Sequence, residues 1–84
     1  MEDSEQFTMV SNLIIKALQQ GKGKADWYAI RTMIINSGYR PTNWRTDVRG
    51  PLQMLLRRKV IERTEDMDHE VYTKAAWYSR YYSD

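Results

Sequence analysis

The hydrophobic period of this chain changes once, at Lys59, and that change limits the folds open to it. Before it, apolar residues recur at steps of three and four, as on one face of a helix. After it, Val60-Ile61-Glu62-Arg63-Thr64 and Glu70-Val71-Tyr72-Thr73-Lys74 are rich in β-branched residues and partly alternate, as in strands. A helical segment followed by a strand pair predicts an α+β domain. The strands flank Glu65-Asp66-Met67-Asp68-His69, so a hairpin with a polar five-residue loop is expected. An isolated hairpin is marginal in water and must pack on the helices.

Three helices are predicted before the change. Asp3 or Ser4 can cap the first, and Gln6 stands where a capping box opened by Asp3 places its return partner. Phe7, Val10, Leu13, Ile14, Ala17 and Leu18 then form one apolar stripe, which Gly21 and Gly23 end. Asp26 suits the N-cap of the second helix. Its main face is Trp27, Ile30, Met33 and Ile34, and Tyr28 with Ile35 forms a second apolar edge, as in a helix wedged between two neighbours. Gly38 suits its left-handed end. Pro41 pushes Arg40 toward an extended conformation, so the chain turns before Thr42 or Asn43 caps a third helix running to about Lys59. Trp44, Val48, Leu52 and Leu55 lie on one side of it as core anchors. Pro51 sits inside that pattern and must kink or split the helix near Gly50-Pro51.

Eighty-four residues suffice for a single domain with a modest core. No repeat or linker divides the chain, so residues 1–84 are read as a single unit, with a core over about 4–74 and an aromatic tail over 75–84. The absence of cysteine excludes disulfides and thiolate metal sites, and the lone histidine, His69, leaves no protein zinc site. The acidic hairpin residues Glu65, Asp66, Asp68 and Glu70 do not match calcium-loop spacing and lack a glycine at the bend. Neither a glycine-rich phosphate cradle nor a nucleophile–base pair is present, so no cofactor and no enzymatic activity are expected. No apolar run approaches the length of a membrane span and the N-terminus is acidic, which predicts neither a membrane span nor a signal peptide. A cytoplasmic location is the expectation.

The net charge of +2 is unevenly placed. Residues 16–63 hold eleven Lys/Arg against three Asp/Glu, whereas both ends are acidic, a distribution that predicts an electropositive face. The plainer alternative is an ordinary Lys/Arg-rich helical surface.

Helix, helix, tight turn, helix, β-hairpin is the order of the winged helix-turn-helix superfamily, and residues 4–74 resemble it. The stretch from Val48 through Gly50, Pro51, Leu52, Leu55 and Lys59 to Arg63 looks like a recognition helix running into the first wing strand. Such domains often carry glycine where Lys59 stands here. The resemblance implies a three-helix core with a two-stranded wing, and a third helix that enters the DNA major groove. On that helix Thr46, Arg49, Gln53 and Arg57 point away from the apolar stripe, with Arg45 at the margin. Arg can match guanine and Gln adenine. Lys24, Arg40, Thr42 and Asn43 fall near helix starts or in the turn, where phosphates can be held.

The expected function is therefore that of a small DNA-binding transcriptional regulator. Arg49, Gln53 and Thr46 would read bases, while Arg40, Arg45, Arg57 and Lys24 would hold phosphates. A solvated face of ordinary arginines is the competing reading. The acidic wing would repel phosphate, so it either points away from DNA or serves a protein partner. The second functional expectation is accordingly a protein-interaction module of the same fold, using the acidic wing and the aromatic tail. Trp77, Tyr78, Tyr81 and Tyr82 can fold back on the first helix or form a homodimer or partner contact.

Overall fold

The computed structural model describes residues 2–66 and 69–82, with the side chains of 2–4 and 65–66 left out. Helix α1 spans Glu2–Gln20. It opens at Glu2, so Asp3 and Ser4 lie within its first turn and not ahead of it. Any capping by their side chains falls outside the described residues. Gln6 serves another purpose, because its amide donates to the Tyr39 hydroxyl and ties α1 to the turn after the second helix. Val10, Ile14, Ala17 and Leu18 are buried as the stripe requires, and Phe7 is left at its exposed end.

The turn after α1 is closed by Gly21 N–H to Ala17 O (3.0 Å) and Gly23 N–H to Leu18 O (2.8 Å). A methyl group at Gly21 would run into the Lys24 carbonyl, so only glycine fits that approach. The chain then enters a strand that the sequence reading missed, β1 over Lys24–Asp26. Three residues are too short to carry a period, and only tertiary pairing makes this segment a strand.

Helix α2 covers Trp27–Asn36, with the Asp26 carboxylate accepting from Ala29 N–H at 2.8 Å as its N-cap. Ile30 and Ile34 are fully buried, and Trp27 and Met33 pack at the margin of the core. The wedge expectation fails here. Tyr28 is 72% exposed and Ile35 lies open as well, because α2 packs through a single face. Gly38, at φ +94°, turns the chain away after the helix.

The third helix, which Pro51 was expected to kink or split, is split into α3 over Trp44–Asp47 and α4 over Arg49–Arg57. Asn43 caps α3 through Arg45 N–H (3.0 Å), and the break falls at Val48. Pro51 is thus the third residue of α4. Its missing N–H falls among the first-turn donors that have no intrahelical partner in any helix. Pro51 begins a helix here; it does not kink one. Pro51, Leu52 and Leu55 are buried beneath α4.

The C-terminus of α4 closes with Lys59 N–H to Leu56 O (3.1 Å) and Val60 N–H to Leu55 O (3.0 Å), the paired bonds of a Schellman motif. Lys59 occupies the left-handed position of that motif, at φ +61°. Strands β2 (Ile61–Asp66) and β3 (His69–Lys74) follow. Their ladder runs from Ile61↔Lys74 to Asp66↔His69, so the hairpin is longer and its loop shorter than the predicted five residues. β1 adds antiparallel to β3, giving a three-stranded sheet of order β1-β3-β2. The molecule is a mixed α+β fold with an antiparallel sheet packed against helices.

The aromatic tail folds back onto the turn that ends α4. Ala75 N–H reaches Val60 O (3.0 Å) and Trp77 N–H reaches Lys59 O (2.9 Å). A final turn of helix, α5 (Tyr78–Tyr81), places Tyr78 in the common core, with Tyr82 stacked 5.6 Å away. The core therefore continues past residue 74.

A left-handed conformation costs an L-residue roughly 1–2 kcal/mol, and glycine gives back about half of that in unfolded-state entropy. Lys59→Gly is therefore expected to raise stability by about 0.5–1 kcal/mol in urea titration, with an unchanged m-value. A destabilised variant would mean that the lysine side chain itself holds the turn.

Candidate nucleic-acid interface

The turn between α2 and α4 is organised by the carboxylate of Asp47. One of its oxygens accepts from Thr42 N–H (3.2 Å), the Thr42 hydroxyl (3.1 Å) and Asn43 N–H (3.3 Å); the other accepts from the Thr46 hydroxyl (3.3 Å). The Asn43 N–H contributes most to holding this carboxyl below its ordinary range; desolvation opposes it, and the two threonine hydroxyls and the Thr42 N–H add to the lowering. Thr42, Asn43 and Thr46 are exposed, yet each already serves the turn. Arg40 is similarly placed: its guanidinium donates to Ile35 O (3.1 Å) and Tyr39 O (3.2 Å), beside the negative end of α2.

Beyond the turn, two tryptophans meet edge to face. The ring centroids of Trp27 and Trp44 are 6.2 Å apart at 77°. Arg31 lies 5.8 Å from the Trp44 ring, and Arg49 lies 4.4 Å over Trp27. The same Arg49 pairs with Glu70 of β3 at 3.5 Å, and Glu70 accepts the Tyr72 hydroxyl at 2.8 Å. A continuous chain of contacts therefore runs from α2 through α3 and α4 into the sheet. Trp44, predicted as a core anchor, is half-buried at the margin of the core in this chain.

The electrostatics follow from that arrangement. Glu70 is held below its usual range, first by the Tyr72 hydroxyl and then by the charges of Arg49 and Arg63. Tyr72 is pushed up to about 12, mainly by burial and secondarily by the carboxylate it donates to. Arg63 is a residue the sequence reading missed. It stands opposite Tyr72 in the ladder, hence on the side of the sheet that faces the helices, and its side chain is exposed. Period two from buried Ile61 was the available signal.

On α4, Arg49, Gln53 and Arg57 recur every four residues opposite the buried Pro51–Leu52–Leu55 side, forming an outward row roughly 12 Å long at 1.5 Å per residue. Gln53 and Arg57 are exposed, and Arg49 is partly covered by its two partners. Arg45 and Thr46 precede the row on α3. Lys24 belongs to the sheet instead, exposed on β1 opposite Thr73. A cleft of about 630 Å³ opens between the starts of α2 and α4 and the wing, lined by Asp26, Trp27, Tyr28, Arg49, His69 and Glu70. Among the described residues no group of His, Asp or Glu could hold a metal ion, and no helix is long and apolar enough to cross a membrane. Of the acidic wing tip, Asp68 lies outside the described residues, as do the side chains of Glu65 and Asp66. No protein family, curated protein or solved structure matches this chain.

The Asp47 carboxyl has a folded-state pKa below its unfolded value. Its contribution is therefore complete above the unfolded pKa and lost as pH falls through the folded one. Asp47→Asn should be less stable than wild type at neutral pH, with the gap closing below about pH 4 in urea titrations across pH. A gap that persists unchanged into acid would show that the carboxylate does not hold the turn.

Proposed function

We propose that this protein is a winged helix-turn-helix domain that binds double-stranded DNA, acting as a small cytoplasmic regulator of transcription with no catalytic step and no cofactor. In this reading α2, the Asp47-centred turn and α4 form the helix-turn-helix, and β2 and β3 form the wing. The element order, with β1 completing the sheet, supports it. The observation that carries it is the outward row Arg49–Gln53–Arg57 on α4. It presents a reading side chain between positive ones on the helix face opposite the core.

In this reading Gln53 and Arg49 meet base edges, and Arg57, Arg45 and Arg63 meet the backbone on either side. Thr42, Asn43 and Arg40 act chiefly by shaping the turn, and Thr46 and Lys24 are peripheral contacts. A further reading, favoured by the exposure of Trp77 just before α5 (43%) and of Tyr81 on it (59%), is that the outer half of the tail joins two copies or meets a protein partner.

Labelled mixed-sequence duplex titrated at two salt concentrations tests the main reading. Binding should weaken steeply with salt, and Arg57→Ala and Arg45→Ala should each reduce the slope of log K against log salt by about one. A folded protein that binds no duplex in low salt would exclude DNA as its partner.

A further inference from the structure

Glu70 of β3 stands 3.5 Å from Arg49 at the start of the reading helix, and a bare carboxylate there would repel phosphate. Its surroundings give it a different role. Glu70 and Tyr72 are two apart on β3 and share the side of the sheet turned toward the helices. The Tyr72 ring is buried in the core, so its hydroxyl is a fixed donor, and it holds the Glu70 carboxylate at 2.8 Å. That carboxylate in turn meets one terminal nitrogen of Arg49, whose guanidinium lies 4.4 Å over the Trp27 ring. The group is thus held on one edge by Glu70 and across one face by an indole, while 36% of the side chain stays open to solvent. Two positive charges, Arg49 and Arg63, act on the single charge of Glu70. The cleft over this junction also carries Asp26, which caps α2, and His69.

We propose that Glu70, fixed by the Tyr72 hydroxyl, is a positioning residue for Arg49, and that Arg49 so held reads a guanine in the major groove. This inference rests on the DNA-binding reading above. A guanidinium has five N–H donors in a planar fork, and engaging one edge leaves others for the O6 and N7 acceptors of guanine. A free arginine must give up rotamer freedom on binding, whereas one clamped between a ring and a carboxylate has already done so. The wing acid therefore acts on DNA through the arginine it orients.

The test begins with wild-type protein and the tightest duplex selected from a random library. Replacing each guanine of that duplex in turn by 7-deazaguanine, which lacks the N7 acceptor, should identify one position that weakens wild type but leaves Arg49→Ala unaffected. Glu70→Gln and Tyr72→Phe should each lose roughly three- to tenfold affinity for the selected duplex, hold mixed-sequence duplex within about twofold, and blunt the response to that 7-deazaguanine. Arg49→Ala with Glu70→Gln should bind no worse than Arg49→Ala alone. Tyr72→Phe removes a single hydroxyl from the core and so carries the test if Glu70→Gln fails to fold.

Tighter binding of Glu70→Gln to all duplexes would overturn the inference in favour of simple repulsion. Equal losses on selected and mixed duplex would overturn it in favour of a merely structural role. A wild type that binds no duplex overturns the DNA reading and this inference together, and that result is distinguishable because it comes before any variant.

Discussion

The Asp47 carboxylate gathers two backbone N–H groups and two hydroxyls inside a single turn of chain, and the placement of α4 depends on it. These bonds fix the start of α3, and after its four residues the chain resets at Val48 and begins a new helix at Arg49. Pro51 then falls in the first turn, where it fits, and Leu52 and Leu55 are turned into the core. The side of α4 left outside is decided by the same reset, and with it the row of Arg49, Gln53 and Arg57. A continuous helix from Asn43 would have carried Pro51 at a position where it removes a hydrogen bond and forces a bend.

The second organising feature is lateral. Two half-buried tryptophans and two arginines fill the seam where α2, α3 and α4 meet, a seam the aliphatic core does not reach. Indole rings suit such a margin, since one side can pack on apolar neighbours while the other receives a cation. Glu70 extends the seam to the sheet, so the wing and the outward helix face are parts of one electrostatic unit. An acidic residue beside a row of arginines is therefore to be judged by what it already holds.

Much of the helical frame was legible because burial imposes a period. The α1 stripe, the Ile30–Ile34 face of α2 and the alternation around Ile61 and Tyr72 are each visible as spacing. Asp26 and Asn43 were legible as caps from local chemistry alone. What escaped depends on residues distant in the chain. Lys24–Asp26 becomes a strand only when β3 lies beside it. Gln6 looked like half of a capping box and instead meets Tyr39, thirty-three positions away. The same holds for the candidate site: the outward side of α4 could be drawn on a wheel, but the clamp on Arg49 and the exposed Arg63 required the fold. The Tyr28–Ile35 edge misled because an apolar edge need not be covered.

The central place of β3 in the sheet has an entropic side. The β2–β3 pairing joins neighbours in the chain, but β1–β3 joins residues about fifty positions apart, from Lys24↔Thr73 to Asp26↔Val71. Closing so large a loop costs entropy, which the three residue pairs of β1 and the packing of α2, α3 and α4 in the intervening chain offset together. The pairing of β1 with β3 joins the first third of the chain to the last. A fragment ending after α4 would leave β1 without its partner, and a fragment beginning at α2 would leave one edge of β3 unpaired.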